Sequence, residues 1–600
     1  MQDIVNKCLA TLPPIDVSNA QTIPLYDGFR LPIEYLDASK IHVLPEVVAA
    51  DLELAVSPDQ CTPMYHFFSQ PQHEFAKNMI HEFKHTYTTD VRFLQETQTV
   101  LDEMPTYHTL VESAPCSQSE CEKYTEVWKD TKLDANFLEK YSYMEWEILE
   151  HLNHSSSFLQ GLSFINITSP ILSLFIPFLF LVFPFLLIRM RSIPITFREY
   201  MDTLREISRN HFIGKMLNIR SLSPENIAYL VVIGGLYCLQ LYQNAVSCLR
   251  FYNNLKRINS HLSFMRQYLD YSAKSMFAFA KLHHTKPTYQ LFCKDVVVHA
   301  TRLQTLGKTL ESIRPFSASL SKLNQVGYML KQFYQLHSNA MLESSLRFSV
   351  GFEGYMHVLS GIAGHLKEGI LGKAVLVDSD ADTPTGMTIQ KQVYPSHSKL
   401  PDCVQNTCSL DKNMIITGVN ASGKTTYLKT TAINVILTQQ FGCGFYKSCV
   451  MRPYTHIHSY LNIPDTSGRD SLFQAESRRC KEIIDSIEAS KDRPNERHFC
   501  IFDELYSGTN PKEAVKSACS FLRYLSKRDQ VDFLLTTHYV DVCKKFRKSD
   551  KIRNYKMDVR KRSDGSIQYF YRLKKGISKI EGGIEILRNM NYPEEILSDL

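Results

Sequence analysis

The sequence lacks a regular cysteine pattern, a dominant charge and an apolar leader. Its 15 cysteines follow no tight spacing, which excludes a disulfide framework, and the pairs Cys403/Cys408 and Cys116/Cys121 have no His or Cys partner at zinc-site spacing. The 67 basic and 62 acidic residues nearly balance, so the total charge indicates no nucleic-acid partner. The first residues include Asp3 and no apolar run, so we expect no secretory signal and an intracellular chain with reduced thiols.

Repeats and low-complexity tracts are also missing, and 44% hydrophobic with 22% charged residues excludes a globally disordered chain. A length of 600 residues predicts several structural units. Residues 1–154 have helical spacing and predict a mostly helical N-terminal domain. Residues 251–372 predict long amphipathic helices. From residue 373 to 600, short Val-, Ile- and Phe-rich runs alternate with helical patterns, which predicts an α/β domain with a mostly parallel sheet.

Charge is absent from residues 155–188, and within them the run ILSLFIPFLFLVFPFLLI is almost wholly apolar. The predicted segment 164–188 reaches the ~20 residues that a bilayer requires. Its three prolines, Pro170, Pro177 and Pro184, are spaced at seven residues, and lipid tolerates such kinks where a neighbouring helix supports them. A buried core helix is the alternative, although core helices are seldom apolar on all sides at this length.

A second uncharged segment, 226–249, carries Gln240, Gln243 and Asn244 in its second half. Together the two segments predict a membrane hairpin over residues 155–250. The loop between them holds more bases than acids, which conflicts with the positive-inside tendency if the α/β domain is cytoplasmic. Either the first segment alone crosses the membrane, leaving residues 1–150 outside, or the two form a hairpin. The absence of a signal favours the hairpin.

A phosphate-binding loop follows the predicted strand 414–417 and precedes a predicted helix. Residues 418–425, GVNASGKT, satisfy G-x-x-x-x-G-K-[ST], a pattern whose backbone N–H groups cradle phosphates. Lys424 is expected to reach the β- and γ-phosphates, and the Thr425 hydroxyl to bind Mg²⁺. The predicted ATP-binding residues are Gly418, Val419, Asn420, Ala421, Ser422, Gly423, Lys424, Thr425 and Thr426.

Two further strand ends complete the predicted site. The strand in HFCIFDEL ends in Asp503, expected to hold the metal with Thr425, and Glu504, expected to orient or deprotonate the attacking water. The strand in LLTTH ends in His538, placed to sense the γ-phosphate. Glu504, His538 and Lys424 are therefore the predicted catalytic residues, with ATP and Mg²⁺ as cofactors.

These motifs, in this order, resemble the ATPase domain of the MutS family, the mismatch-repair branch of the ABC-type P-loop ATPases, over about residues 393–600. SGRDSLFQAE is similar to the signature segment S-x-F-x-x-E, FDELYSGTNPKEA to the Walker B strand with its dimer loop, and TTHY to the switch histidine. GSIQYFYRLKKGISKIEGGIEILRNMNYPEEIL resembles the closing hairpin, glycine turn and final helix.

The resemblance implies a homodimer or pseudo-dimer with composite ATP sites, in which Ser471 contacts the γ-phosphate bound by the other subunit. Ser507, Gly508, Thr509 and Asn510 would lie across the seam, and residues 251–370 would form lever and clamp helices. Val419, Ala421–Ser422 and Tyr506 depart from the family pattern and are expected to tune ATP binding. Residues 1–150 contain no counterpart of the Phe-x-Glu mismatch wedge.

Two functions follow from these features. The first is a membrane-anchored MutS-like ATPase that binds DNA, including mismatched DNA, with the ATPase domain on the cytoplasmic side. The second is a membrane-associated tethering or remodelling ATPase without mismatch recognition, which the missing wedge and the apolar segments favour. Residues 544–562, rich in Lys and Arg, are a candidate DNA contact, with a solvated surface face as the alternative.

Overall fold

The computed structural model describes residues 28–58, 61–112, 116–191, 194–207, 224–317, 319–378, 386–461, 463, 471–493, 495–562, 567–580 and 592–593. The chain divides into two compact units. Unit 1 comprises Met1–Cys121, Lys274–Ala300 and Ser344–Leu600, and unit 2 comprises Glu122–Ala273 and Thr301–Glu343. The four domains predicted above, with boundaries at residues 154, 250 and 372, stay a prediction.

Helices dominate both units in the described residues. The α-helices are α1 (Glu46–Asp51), α2 (Met64–Ser69), α3 (Glu74–Phe83), α4 (Val91–Val111), α5 (Gln118–Trp128), α6 (Phe137–Lys140), α7 (Ser156–Met190), α8 (Phe197–Ile207), α9 (Pro224–His283), α10 (Gln290–Glu311), α11 (Leu320–Leu323), α12 (Val326–Ser338), α13 (Ala340–Lys367), α14 (Lys424–Phe441), α15 (Leu472–Ala489), α16 (Pro511–Ser526) and α17 (Val540–Lys545).

The strands of the described residues all belong to unit 1. They are β1 (Ile41–Val43), β2 (Thr86–Thr88), β3 (Gly372–Leu376), β4 (Met387–Gln392), β5 (Asn406–Leu410), β6 (Asn413–Thr417), β7 (Cys443–Gly444), β8 (Ser448–Met451), β9 (His456–Tyr460), β10 (His498–Asp503), β11 (Val531–Thr537), β12 (Ile552–Lys561) and β13 (Ile567–Lys575).

Strands β12, β6, β11, β10 and β9 are parallel to one another. With β13 antiparallel at the β12 edge, they form a six-stranded sheet in the order β13-β12-β6-β11-β10-β9. The short apolar runs of the sequence become its buried strands, because a parallel strand covered on both faces needs no polar alternation. The predicted strands at the phosphate loop, before Asp503 and before His538 are confirmed as β6, β10 and β11. A second sheet has the order β5-β4-β8-β3-β7.

Helix α14, which starts in the phosphate loop, is buried along almost its whole length. Of its 18 residues, 15 are buried. One side faces β10 and β11, and its C-terminal part contacts α4 and β2 of the N-terminal segment. Gln439 donates to the Thr88 carbonyl at 3.2 Å, and Gln440 donates to the Phe83 carbonyl at 2.6 Å. The N-terminal segment thus belongs to the packing of the ATPase domain.

In unit 2, α7 runs unbroken through Pro170, Pro177 and Pro184, and it pairs with α9. The Tyr237 hydroxyl donates to the Ser173 carbonyl at 3.0 Å, and the Asn244 amide donates to the Ser173 hydroxyl. These bonds join the two uncharged segments of the sequence. Polar side chains that bond across two apolar helices are typical of helix pairs that lack water around them.

The outer surface of this helix pair is apolar. Large exposed hydrophobic side chains on α7 and α9 are Phe164, Ile165, Ile171, Leu172, Leu174, Phe175, Ile176, Leu179, Val182, Phe183, Leu186, Leu187, Ile227, Val231, Val232, Leu236 and Leu239. Among the described residues, Ser156–Ile176 is the helix segment long and apolar enough to cross a membrane, and only 11% of its most apolar window is buried. The core-helix alternative predicts burial and does not fit this segment.

The membrane hairpin itself stays a prediction. The candidate span Ser156–Ile176 overlaps the predicted segment 164–188, whereas 226–249 forms part of the 60-residue helix α9 and does not stand out as a second candidate among the described residues. Much of the intervening loop, residues 208–223, lies outside the described residues.

Candidate functional site

The phosphate loop joins the buried strand β6 to the N-terminus of α14. Gly423, the N-cap of α14, has a φ of 90°, a left-handed conformation that glycine adopts without strain. Ala421 also has a positive φ, of 59°. The loop therefore curls back over the helix start, where free N–H groups and the helix dipole favour an anion.

Lys424 lies inside this loop. Its side chain is almost buried, at 5% exposure, and its ammonium donates to the carbonyls of Gly418 at 3.0 Å and Val419 at 3.3 Å. Burial lowers the pKa of Lys424, and the nearby carboxylates of Glu504 and Asp503 oppose that shift. The lysine is thus a cation held by neutral loop carbonyls, a contact that an anionic phosphate can replace at low cost.

Asp503 and Thr425 bring oxygen atoms together at the end of β10. The Thr425 hydroxyl donates to Asp503 Oδ2 at 2.7 Å, and the Thr536 hydroxyl of β11 donates to Asp503 Oδ1. Because β10 and β11 are parallel neighbours, their carboxyl ends meet at the same edge of the sheet. A carboxylate beside a hydroxyl is a donor set that suits Mg²⁺, which binds few protein oxygens and keeps several waters.

Glu504 and His538 form the third part of the site. His538 Nε2 lies 2.5 Å from Glu504 Oε1, and both side chains are partly exposed. The hydrogen bond from His538 lowers the pKa of Glu504, although burial opposes the shift. Glu504 has a φ of 56°, and its N–H donates to the Thr536 carbonyl at 3.0 Å. The turn after β10 therefore aims the carboxylate toward the phosphate loop.

A cavity of about 610 Å³ opens beside these groups. It is lined by the loop from Asn420 to Thr426 and by Glu504, and on its other side by residues that the sequence reasoning missed: Tyr394, His397, Leu400, Val404, Asn406 and Tyr571. The Asn406 amide donates to the Tyr571 carbonyl at 2.9 Å and so joins β5 to β13. No local pattern marked these residues, because two separate stretches of chain supply them.

The predicted signature residue Ser471 is the N-cap of α15 and forms a capping box with Gln474. Ser471 is not among the described residues that line the cavity, and residues 464–470 before it lie outside the described part of the chain.

Glu476, on the same helix, holds the predicted dimer loop. Its carboxylate is 2% exposed and accepts three hydrogen bonds: from Ser507 N–H at 3.0 Å, from the Ser507 hydroxyl at 2.9 Å and from Gly508 N–H at 3.2 Å. A Cβ on Gly508 would lie 2.7 Å from Leu472 Cγ, so glycine is required for the loop to approach α15. The start of α15 and the loop thus form one structural element.

Several charges of the candidate DNA segment 544–562 are already paired. Lys544 pairs with Asp541, Lys551 with Asp529 and Arg553 with Asp411. This pairing favours the alternative, a solvated surface face.

The hairpin β12–β13 matches the predicted closing hairpin, whereas the predicted final helix falls mostly on residues 581–591, outside the described residues.

Comparison with known proteins confirms the resemblance over one segment. Residues 414–599 match the family model MutS domain V. The chain is 24% identical over 326 residues to the DNA mismatch repair protein MutS of Aquifex pyrophilus, covering 51% of this chain and 36% of that protein. It is 25% identical over 202 residues to the DNA mismatch repair protein MutS of Persephonella marina, covering 33% of this chain and 22% of that protein.

The protein named Endonuclease MutS2 of Lactococcus lactis subsp. cremoris is 29% identical over 199 residues, covering 33% of this chain and 24% of that protein. This chain therefore spans between 22% and 36% of the length of these relatives. The segment matched by the family model contains the phosphate loop, Asp503, Glu504 and His538.

Proposed function

We propose that this chain is a membrane-anchored ATPase that binds and hydrolyses Mg-ATP at sites completed by a second subunit. The observation that carries the proposal is the convergence of the phosphate loop, the Thr425–Asp503 pair and the Glu504–His538 pair at one edge of a parallel sheet. These groups come from three separate places in the chain, and their arrangement matches the requirements of phosphoryl transfer to water.

The volume of the cavity and the residues that line it both suit ATP. The loop N–H groups and Lys424 supply the phosphate end, and the Tyr394, Leu400 and Tyr571 side chains supply an apolar and aromatic end suited to a planar base. Thr425 and Asp503 would hold Mg²⁺, which when bound neutralises charge on the β- and γ-phosphates. Lys424 exchanges its loop carbonyls for phosphate oxygens as ATP binds.

Glu504 orients the attacking water and accepts its proton. Its lowered pKa keeps the carboxylate ionised at neutral pH, ready to act as a base, and the His538 hydrogen bond fixes its direction. We expect the hydrogen bond between His538 and Glu504 to form or break according to whether the γ-phosphate is present. Hydrolysis is therefore coupled to the turn that follows β10.

The second subunit supplies Ser471. The N-terminus of α15 is capped by a serine hydroxyl that an incoming phosphate can replace, and Glu476 fixes the Ser507–Gly508 loop beside it. A two-fold homodimer would place each α15 start against the partner's ATP, which makes two composite sites. ATP occupancy and dimer closure then depend on each other.

The apolar helix pair α7–α9 is the proposed membrane anchor. Its support is the uncharged sequence, the exposed apolar side chains of both helices, and polar groups such as Asn244 and Ser173 that bond to each other inside the pair. We place the ATPase domain on the cytoplasmic side, where nucleotide is available.

DNA binding is the second candidate function, favoured by the relatives named as mismatch repair proteins. Residues 1–150 hold no counterpart of the mismatch wedge, and in 544–562 the side chains of Lys544, Lys551 and Arg553 are paired with aspartates. The ATPase role without mismatch recognition is therefore the one that the described residues support better.

The deciding experiment uses the full chain in detergent. Lys424→Ala is expected to abolish binding of a fluorescent ATP analogue, while Lys516→Ala, an exposed lysine on α16, leaves binding unchanged. Normal hydrolysis by Lys424→Ala would refute the site.

DNA binding is tested in parallel with matched and mismatched duplexes at low salt, with and without ATP, and tight ATP-dependent binding to the mismatch would restore the second candidate. For the anchor, the protein should stay in the membrane pellet after alkaline carbonate, and its release would refute membrane insertion.

A further inference from the structure

Two buried cysteines outside the ATP site lie close together. Cys116 precedes α5 and Cys121 lies in its first turn, with 3.6 Å between the sulfur atoms. Their exposures are 7% and 0%. The turn between them is held by Glu120, whose carboxylate accepts from both the N–H and the hydroxyl of Ser117 at 2.8 Å. The local fold thus presents a preformed dithiol.

A histidine activates one of these thiols. His73 is the N-cap of α3, where its Nδ1 accepts from Ala76 N–H at 3.2 Å, and it also forms a hydrogen bond with Cys121. The hydrogen bond with Cys116, and then that with His73, lowers the pKa of Cys121 to about 6 against the effect of burial. Burial without such partners instead raises the pKa of Cys293 to about 12.

We propose that Cys116 and Cys121 are a redox site that a small hydroperoxide oxidises to an intramolecular disulfide. Cys121, as the thiolate, attacks the terminal oxygen of the hydroperoxide, and the O–O bond breaks. Cys121 becomes a sulfenic acid, and the leaving oxygen anion takes up the proton that the Cys121 thiol released on ionising. Cys116 then attacks the Cys121 sulfur, the S–O bond breaks, and hydroxide leaves with the Cys116 proton as water. With hydrogen peroxide, two thiols are oxidised to one disulfide and the peroxide is reduced to two waters.

The surroundings favour this chemistry over metal binding. Within the described part of the chain, the His, Cys, Asp and Glu groups close enough to share an ion are Glu126, Asp130 and His261, and the cysteine pair is not among them. The burial of both sulfurs favours an oxidant as small as hydrogen peroxide over a bulky disulfide.

The charged and titratable groups around the pair come from three helices. His73 belongs to the N-terminus of α3, Glu120 to α5 and Glu353 to α13. The His73 ring also packs against that of His357 on α13, with ring centroids 4.3 Å apart. The hydrogen bond with Cys121 and burial, with smaller contributions from Glu353 and Glu120, raise the pKa of Cys116, which favours Cys116 as the second thiol to react.

The test oxidises the folded full chain in detergent with hydrogen peroxide and maps disulfides by mass spectrometry of unreduced digests. We expect a Cys116–Cys121 disulfide to form before Cys293 or Cys408 is modified, and a reducing agent to reverse it. Cys116→Ser should leave a sulfenic acid on Cys121 that dimedone traps once the oxidised protein is unfolded in its presence, and Cys61→Ser, at an exposed cysteine, should change nothing.

The His73→Asn variant distinguishes a role of His73 in activating the Cys121 thiol from a role in folding the protein. Asparagine is a favoured N-cap and keeps the bond to Ala76, but it removes the ring nitrogen that faces Cys121. Disulfide formation at pH 7 should slow by about tenfold, and its pH midpoint should move upward. An unchanged pH midpoint, oxidation of Cys61 with no Cys116–Cys121 disulfide, or stoichiometric zinc lost in Cys121→Ser would each overturn the proposal.

Discussion

Replacement of Glu476 by glutamine changes one atom of the carboxylate that anchors the Ser507–Gly508 loop. The glutamine oxygen can still accept from Ser507, whose N–H and hydroxyl both bond to Oε1. The other position becomes an NH₂ group facing the Gly508 N–H, which had bonded to Oε2 at 3.2 Å. A donor then meets a donor at a buried position.

The expected cost follows from the bonds lost. A hydrogen bond to a charged group contributes about 1.5–3 kcal/mol, and here one is lost while two lose their charge. If local opening of the loop becomes easier by about 2 kcal/mol, amide exchange there speeds up by about 30-fold, since 1.4 kcal/mol is a factor of ten.

Hydrogen–deuterium exchange of peptides covering residues 506–510 measures this directly. Glu482→Gln provides the matched control, because Glu482 lies on the same helix but is exposed. Steady-state ATP turnover should fall in Glu476→Gln while ATP binding to the phosphate loop stays unchanged. Equal exchange rates in the two variants would mean that Glu476 does not hold the loop.

Three further results are expected. Glu504→Gln should lower phosphate release by about 10²–10⁴-fold with ATP affinity within about twofold, and near-normal release would exclude Glu504 as the base. His538→Ala removes the bond that lowers the pKa of Glu504, so the fall in turnover on acidification should begin at higher pH in a pH–rate profile; an unmoved profile would contradict the pairing. Gly508→Ala places a Cβ 2.7 Å from Leu472 Cγ, so protected amides at 506–510 should exchange faster as in Glu476→Gln, and unaltered protection would show that the loop has room.

The parts of the site that the sequence predicted are those carried by contiguous motifs. The phosphate loop, Asp503, Glu504 and His538 each follow a buried strand, and parallel strands bring their carboxyl ends to one edge. The motif order and the strand pattern therefore sufficed to place them. The helical character of the chain before residue 373 was predicted for the same reason, since periodicity is a local signal.

Other contacts left no local signal because distant residues make them. Tyr394 and Tyr571 line one cavity from opposite parts of the domain, and nothing in either neighbourhood indicates the other. Glu476 lies in the predicted signature segment SGRDSLFQAE. Its role as a hydrogen-bond acceptor for Ser507 depends on where the Ser507–Gly508 loop packs. The Ser173–Asn244 bond likewise needs α7 and α9 to lie side by side.

The burial of α14 on both sides limits which fragments of the protein can keep their native packing. A fragment that begins at the first strand of the ATPase domain would lose α4 and β2, leaving Gln439 and Gln440 without the carbonyls of Thr88 and Phe83. The helix that begins in the phosphate loop would then present an uncovered flank to water. The smallest piece that keeps this packing is therefore discontinuous in the chain, and a truncation to the family-matched residues 414–599 alone is expected to aggregate.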